Sequence, residues 1–485
     1  MIRRQAALLI AIPAVFALVV VLLGLDMVPG GPPASTTASG TPSDARWNIV
    51  VIVMDTARQD RLSCYGYEHA TSPRLVELAK SSTLYTNAYS TSSWTAPGHA
   101  SLFTGLHSAT HGVTQESWSM GDELITFAEV LSDRGYRTAG VVENPMLVSD
   151  RGYDQGFSTY HESWRKKSRS GEQAVDDFRT ALGTGQEGQP FLIFVNLIAP
   201  HSPYDSSGRF RDTFVTRPEI GIVSNMWRQY YTGRRSFSED EIRHLSELYD
   251  AEILFTDHLI GEMIDELKEL GLWDETVLIV TSDHGENIGE HSHVDHVFTL
   301  FETTTKIPMI VHGPGLFSAG GTDDSPVQLT DIFPTVLDLA GVDTSDFPSH
   351  GYSLLGDGPP RDRDIFSEYY YPAQVLSCFG REEFRESPML RPYMRRIRSL
   401  TRGDLKFIWG SDGKHELYDL ARDPDELTNL VDSQPHAAAR REMEEELTAW
   451  YRDLRPNEGA AEHEDDTDQL DEETKEALRS LGYLE

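Results

Sequence analysis

From Trp47 onward, short β-branched apolar runs alternate with helix-like segments, and this alternation constrains the fold more than any other feature of the chain. The runs are "NIVVIVMD" (48–55), "YRTAGVV" (136–142), "FLIFVNLIAPH" (191–201), "TVLIVTSDHG" (276–285) and "IPMIVHGPG" (307–315). The pattern predicts an α/β fold, a central mostly parallel sheet flanked by helices. Helix signals fall between the runs. "SPRLVELAKSS" offers Ser72 as a cap and Pro73 at the first helical position, and the long amphipathic repeat "LSELYDAEILFTDHLIGEMIDELKELG" ends at Gly271. Several runs finish on polar residues: Asp55, His201, Asp283 with His284, and His312. Taken singly, such an ending is commonly a turn or a cap, but parallel strands would gather them at the carboxyl edge where open α/β sheets bind ligands.

After about Ile365 the texture changes to Arg-rich and aromatic. In "LKFIWGSDGKHELYDLARDPDELTNL" the "SDGK" turn joins two short strand patterns, which predicts a small C-terminal subdomain with an antiparallel sheet. The organisation that follows is a catalytic α/β domain over 47–365, this subdomain over 366–455, and an acidic tail with a short terminal helix over 456–485. Ahead of them, "MIRRQAALLIAIPAVFALVVVLLGLDMVPG" places Arg3 and Arg4 before an apolar run from Ala7 to Leu25. That run approaches the ~20 residues needed to span a bilayer. Residues 1–28 are therefore a membrane anchor or a signal peptide. The lack of a small-x-small site directly after the run favours the anchor, with the catalytic part outside the cytoplasm; a cleaved peptide would make the protein secreted. A Gly/Pro/Ser/Thr linker occupies 29–46.

The net charge of −35 sets nucleic acid aside as a partner, because a phosphate backbone needs Lys and Arg to displace its counterions. With 8 Lys against 34 Arg, the acidity resembles the solvated surface that halophiles use. The two cysteines, Cys64 and Cys378, are too few for a disulfide framework and read as free thiols rather than a bridge.

The chemistry concentrates in a few positions. Asp55, Asp283 and His284 supply two carboxylates and an imidazole, a set suited to one divalent cation with coordination positions left open. "SWTAPGHASLFTG" places Thr95 just ahead of a helix. It is either an N-cap or a hydroxyl whose alkoxide the helix dipole favours.

These stretches together resemble the sulfatase family within the alkaline phosphatase superfamily. "NIVVIVMDTARQDRLSCYGY" matches its first strand and metal aspartate, and "TAPGHASLFTG" parallels its nucleophile motif. "LIAPHSPY" is similar to its substrate-side histidine loop, "VTSDHGENIGEH" to its second metal motif, and "HVFTLFETTTKIPMIVHGPG" and "HELYDLARDPDELTNL" to its later segments. The resemblance implies an alkaline-phosphatase/sulfatase-like fold. It makes Asp55, Asp283 and His284 metal ligands, with Thr95 both bridging the metal and attacking the substrate. His201 and His296 become candidates for protonating the leaving group or holding the transferred oxyanion, and His99 stands where the family usually has Arg. Arg58, Asn144 and Lys306 are the substrate-side candidates.

Departures from the family pattern shape the functional expectation. Sulfatases convert a Cys or Ser to formylglycine, whose hydrate expels sulfate by losing a proton from its second hydroxyl; Thr95 cannot form that aldehyde. Thr56 replaces a common second Asp, and the Lys-Trp-His group of arylsulfatases is missing from "YRTAGVVENPML". Threonine nucleophiles occur elsewhere in the superfamily, and "MDTARQDRLSCYGY" and "SDHGENIGE" also resemble phosphoethanolamine transferases. The expectation is a metal-dependent ester hydrolase with an unmodified Thr95 nucleophile and a preference for phosphate mono- or diesters. The alternatives are a sulfatase proper, a membrane-anchored transferase of phosphoethanolamine or phosphoglycerol, and an inactive binding protein. One divalent ion is expected, Zn or Mn ahead of Ca or Mg. The substrate is a small-molecule, glycan or lipid-linked ester, and the oligomeric state stays open.

Overall fold

The strand Asn48–Met54 is buried along its whole length, so both of its faces must be covered. Its alternate side chains do this by entering two different cores. Ile49, Val51 and Val53 pack with Phe103, Phe127 and Phe333, whereas Val50, Ile52 and Met54 pack with Leu75, Phe178, Tyr249 and Ile260. The result is a sheet between two helical layers, in which each fully buried Val or Ile contributes about 1.5–3 kcal/mol. This computed structural model describes residues 46–166, 171–186, 188–205, 208–216, 226–377, 388–454, 470–481 and 483. The anchor or signal peptide over 1–28, nearly all of the linker, most of the acidic tail and Cys378 lie outside the described residues. Among those described, no helix is long and apolar enough to cross a membrane, and Cys64 is a half-buried free thiol.

The central sheet has eight strands, in the order Gly321–Asp323, Thr83–Tyr85, Met309–His312, Thr276–Thr281, Asn48–Met54, Phe191–Leu197, Arg137–Val142 and Thr159–Glu162. All five apolar runs are strands of it. Asn48–Met54 is parallel to both of its neighbours, with Val53 opposite Thr281 on one side and Asn196 on the other. The ends of these three strands therefore lie side by side. Met309–His312 is the exception: it runs antiparallel to Thr276–Thr281, with His312 opposite Leu278. This corrects the expectation that His312 joins Asp55 and Asp283. Reversal of the strand carries His312 to the opposite edge, where it stacks on Trp273 at 4.0 Å and hydrogen-bonds the Ser81 carbonyl.

The helix signals translate with one change of partner. Ser238 and Glu241 form a capping box that opens the long helix Glu239–Glu269, a start earlier than the amphipathic repeat alone suggested. Ser72 does precede the helix Pro73–Ala79, but its hydroxyl caps nothing. The Asp257 carboxylate, reaching across from the long helix, accepts the N–H groups of Arg74 and Leu75 at 2.9 and 2.8 Å instead.

The C-terminal part forms a four-stranded antiparallel sheet, Ile365–Tyr369, Ile397–Arg402, Leu405–Gly410 and Glu416–Asp419, with "SDGK" at the predicted turn. Phe366, Leu400, Phe407 and Leu417 pack it against Met443 and Leu447 of the helix Ala437–Leu454. Lys406 ties this sheet to the larger one. Its buried ammonium lies 2.9 Å from Glu302 and 3.1 Å from Glu426.

Candidate active site

Three strand ends and one helix start build the site. Asp55 follows the first strand, Asp283 and His284 follow Thr276–Thr281, and Asn196 lies near the end of the strand between Asp55 and Asn144. Asp55 Oδ2 accepts hydrogen bonds from Asn144 Nδ2 at 2.8 Å and Asn196 Nδ2 at 3.1 Å. Asp283 Oδ1 accepts the N–H groups of Thr56 and His284 at 3.2 and 3.0 Å. The outer oxygens, Asp55 Oδ1 and Asp283 Oδ2, have no hydrogen-bond partner among the described residues and are fully buried. His284 donates from Nδ1 to the Gly285 carbonyl at 3.0 Å, which leaves the Nε2 lone pair facing inward.

Asp55, Asp283 and His284 thus present ligand atoms within 4.8 Å of one another. Burial first, and then the neighbouring Asp55 charge, push Asp283 well above the ordinary carboxylate range. Burial and the nearby His296 hold His284 well below the usual imidazole range. Two orphaned carboxylate oxygens and an imidazole lone pair fit a divalent cation, whose charge removes the repulsion that otherwise disfavours ionising both acids.

Thr95 is the first residue of the helix Thr95–Thr104, not its cap; Trp94 holds the cap position. The Thr95 hydroxyl lies 3.3 Å from His284 Nε2 and is fully buried. The helix reaches this depth because Gly98 lacks a side chain: a Cβ there would lie 3.1 Å from the Asp283 carbonyl. One turn on, His99 donates from Nδ1 to the Thr95 carbonyl at 2.9 Å and stands 3.5 Å from Asp283 Oδ2. Burial lowers its pKa, and its ring meets Phe103 and Phe194 edge-on. A neutral His99 packed beneath the carboxylates therefore supplies no fixed positive charge where the family usually has Arg.

Across from Thr95, His201 and His296 stand with ring centres 5.0 Å apart, and His296 lies 4.5 Å from His284. His201 donates from Nδ1 to the Ser202 carbonyl at 2.5 Å, so its Nε2 faces the site. Burial, followed by His296, lowers its pKa. His296 Nδ1 lies 3.1 Å from Asp295 and 3.6 Å from Glu286, in a second buried group with metal-ligand spacing. Burial would discharge it, but the Asp295 and Glu286 carboxylates prevail and lift it to about 9, so the imidazolium itself supplies the cation there. Glu286 in turn is raised to about 7 by burial and by Asp295.

Thr95, His99, His201, His296, Asp55, Asp283, His284 and Asn144 therefore converge. Asn144 contacts Asp55 rather than open space. Arg58 and Lys306 stand apart, lining a separate cavity of about 500 Å³ with Glu290 and Glu302; none of Thr95, Asp55, Asp283 or His284 lines it. The Arg58 guanidinium is committed to Asp60 and Glu290 at 2.8 and 2.6 Å and to the Glu286 carbonyl. Lys306 lies over Tyr89 and 3.8 Å from Glu302. Asn196, Glu286, Asp295 and Tyr483 were not anticipated. Asn196 could have been found as the one amide in the apolar run "FLIFVNL", and Glu286 and Asp295 sit in the metal motif and just after it; Tyr483 carries no sequence signal.

Comparisons with known proteins agree with this architecture. The sulfatase family profile matches residues 47–342. The chain is 29% identical to bovine arylsulfatase K over 459 residues, covering 81% of this chain and 79% of the relative. It is 23% identical to the choline-sulfatase of Rhizobium meliloti strain 1021, over 84% and 86% of the two chains. In structure it resembles the phosphonate monoester hydrolase of Agrobacterium radiobacter, with a TM-score of 0.68 and 21% identity over 85% and 96% of the chains. It also resembles a protein solved with its substrate D-glucosamine-2-N,6-O-disulfate, with a TM-score of 0.67 and 22% identity over 85% and 99%. With the family profile spanning well over half of the sequence and the acid–histidine cluster at its strand ends, the chain belongs to the sulfatase family and is a hydrolase of that family.

Proposed function

We propose that the chain is a metal-dependent ester hydrolase that uses an unmodified Thr95 as nucleophile, prefers phosphate mono- or diesters to sulfate esters, and acts outside the cytoplasm. The observation that carries this reading is the Thr95 hydroxyl, 3.3 Å from His284 Nε2 at the start of a helix and beside two buried carboxylates. Asp55, Asp283, His284 and Thr95 would hold the ion, Zn or Mn ahead of Ca or Mg. When bound, a divalent ion supplies Lewis-acid charge that favours the ionised hydroxyl. The Thr95 hydroxyl passes its proton to the neutral His201 Nε2 as Oγ attacks the phosphorus; a Thr95 O–P bond forms, the ester O–P bond breaks, and His201 Nε2 hands that proton to the departing oxygen. The helix N-terminus and the charged His296 stabilise the equatorial oxygens. In the second half-reaction water gives a proton to His201 Nε2 and attacks phosphorus, the Thr95 O–P bond breaks, and the released Thr95 oxygen takes that proton from His201.

The preference for phosphorus follows from the nucleophile. A threonine ester has no second hydroxyl through which to expel the group by C–O cleavage, so the central atom must be attacked twice, and a sulfothreonine stalls where a phosphothreonine is resolved. The specific finding that favours a sulfatase proper is the arylsulfatase and choline-sulfatase likeness over about four-fifths of the chain. The discriminating experiment supplies the purified chain with Zn or Mn and compares an aryl sulfate, an aryl phosphate monoester and an aryl phosphodiester, with the mass of residue 95 checked. Faster multiple turnover of the sulfate with threonine intact would refute the phosphate preference; full activity in Thr95→Ala would refute the nucleophile.

A further inference from the structure

The proposed nucleophile is fully buried in this structure. Thr95, Asp55, Asp283 and His284 are all 0% exposed, and His201 and His296 are 3% and 1% exposed. What stands in front of them is the chain's own Tyr483. Its hydroxyl lies 2.5 Å from His201 Nε2 and shares a hydrogen bond with the Thr95 side chain. The interval between nucleophile and acid is where a transferred phosphoryl or sulfuryl group must sit, so the phenol oxygen stands in that group's place. The ring behind it lies against aromatic neighbours, edge-on to Trp94 at 5.4 Å, Trp118 at 6.2 Å and His201 at 5.4 Å, with the two tryptophans themselves 6.1 Å apart.

Tyr483 is delivered by a docked element. The helix Glu472–Ser480 is capped by Asp471, which accepts the Thr474 N–H at 2.7 Å. Leu478 is fully buried, and its carbonyl accepts the Tyr483 N–H at 2.7 Å, fixing the turn that aims the ring inward. On the outside, Arg165 holds the helix through Thr474 and Asp471, both at 2.9 Å.

We propose that Tyr483 is an intramolecular occupant of the substrate site, that an ester enters only when the terminal helix releases it, and that the recess beside Trp94 and Trp118 which it vacates receives the ring of an aryl ester. This rests on the placement of the reaction at Thr95. A site occluded by its own side chain shows an apparent dissociation constant raised by the inverse of its open fraction, so removing the occupant tightens binding without changing the chemical step.

The test uses the full chain and p-cresol, the free analogue of the tyrosine side chain. Binding of p-cresol to wild type, Tyr483→Ala and Arg165→Ala is followed by tryptophan fluorescence and calorimetry, with folding checked by circular dichroism. The expected result is binding about tenfold tighter or more in Tyr483→Ala, with a smaller gain in Arg165→Ala, whose surface position leaves the core intact. In parallel, KM for a small aryl ester falls by the same factor while kcat is unchanged. Equal p-cresol affinity in wild type and Tyr483→Ala overturns the proposal whether or not any ester is turned over. A raised KM or a lowered kcat in Tyr483→Ala also overturns it, because Tyr483 would then assist the substrate rather than exclude it. Tighter p-cresol binding without turnover of any ester upholds the occupied recess and counts only against the hydrolase reading.

Discussion

Replacing Asn144 by alanine tests whether the proposed metal centre is organised from behind Asp55. Asp55 uses one oxygen to accept two amide bonds, from Asn144 at 2.8 Å and Asn196 at 3.1 Å, and keeps the other oxygen without a protein partner. The two amides set the plane of the carboxylate and therefore the direction in which Oδ1 points. A hydrogen bond to a charged acceptor contributes about 1.5–3 kcal/mol. At about 1.4 kcal/mol per factor of ten, losing the shorter bond weakens metal affinity roughly tenfold to a hundredfold, the range typical of groups that orient a ligand. The substitution also strips the Met146 N–H of its acceptor, the Asn144 Oδ1 at 2.9 Å, so the metal-free protein melts lower by a separate amount. Affinity is measured by competition for Zn or Mn with a chromophoric chelator, and metal-free stability by thermal unfolding in excess chelator. A Kd within twofold of wild type, with the melting temperature lowered, would show that Asn144 serves the loop and not the metal.

Other outcomes follow from the same geometry. Asp55→Asn keeps an acceptor for the two amides but removes one of two adjacent buried charges; it should abolish metal uptake and turnover and raise the melting temperature of the metal-free protein relative to wild type. Asp283→Ala should also lose metal and turnover while retaining its circular dichroism spectrum, since Asp283 follows the strand Thr276–Thr281 and its loss deprives only the loop N–H groups of Thr56 and His284 of an acceptor. Adding metal at about 100 times its Kd should stabilise wild type by about 2.7 kcal/mol and leave both variants unshifted in the same thermal assay. Lys406→Met leaves Glu302 and Glu426 facing each other without their cation and should cost about 3–5 kcal/mol in denaturant unfolding, with the C-terminal sheet the first part to exchange its amide hydrogens.

The interior of the sheet was legible because burial on both faces writes itself as continuous apolar sequence: Asn48–Met54, Phe191–Leu197 and Thr276–Thr281 are buried throughout and were recognised from that property. The edges were not. Thr83–Tyr85, Thr159–Glu162 and Gly321–Asp323 are three or four residues long, too short for any period to emerge. Strand direction was equally hidden, since "IPMIVHGPG" reads the same whether it runs with its neighbour or against it. That one reversal decided that His312 is a stacking partner of Trp273 and not a fourth group at the site.

At the site itself, legibility followed chain proximity to a strand end. Asp55, Asp283 and His284 could be assigned from sequence because a polar residue that ends a buried parallel strand has only the carboxyl edge to occupy. Arg58, three residues past Asp55, was a substrate-side candidate through the family resemblance and not through a strand end. Between them Thr56 adopts a left-handed conformation, φ 59°, and the backbone turns so that Arg58 meets Asp60 and Glu290 on the side away from Thr95. Strand-end reasoning also fell short at Tyr483, 388 positions after Thr95, whose hydroxyl it meets. Nothing in "RSLGYLE" distinguishes a ring that plugs a catalytic cleft from one that packs on a surface, because the distinction lies in where Leu478 docks and in the two tryptophans that receive the ring. Sequence can place a group at the end of the element that carries it, whereas the identity of what closes over that group is a property of the assembled tertiary structure.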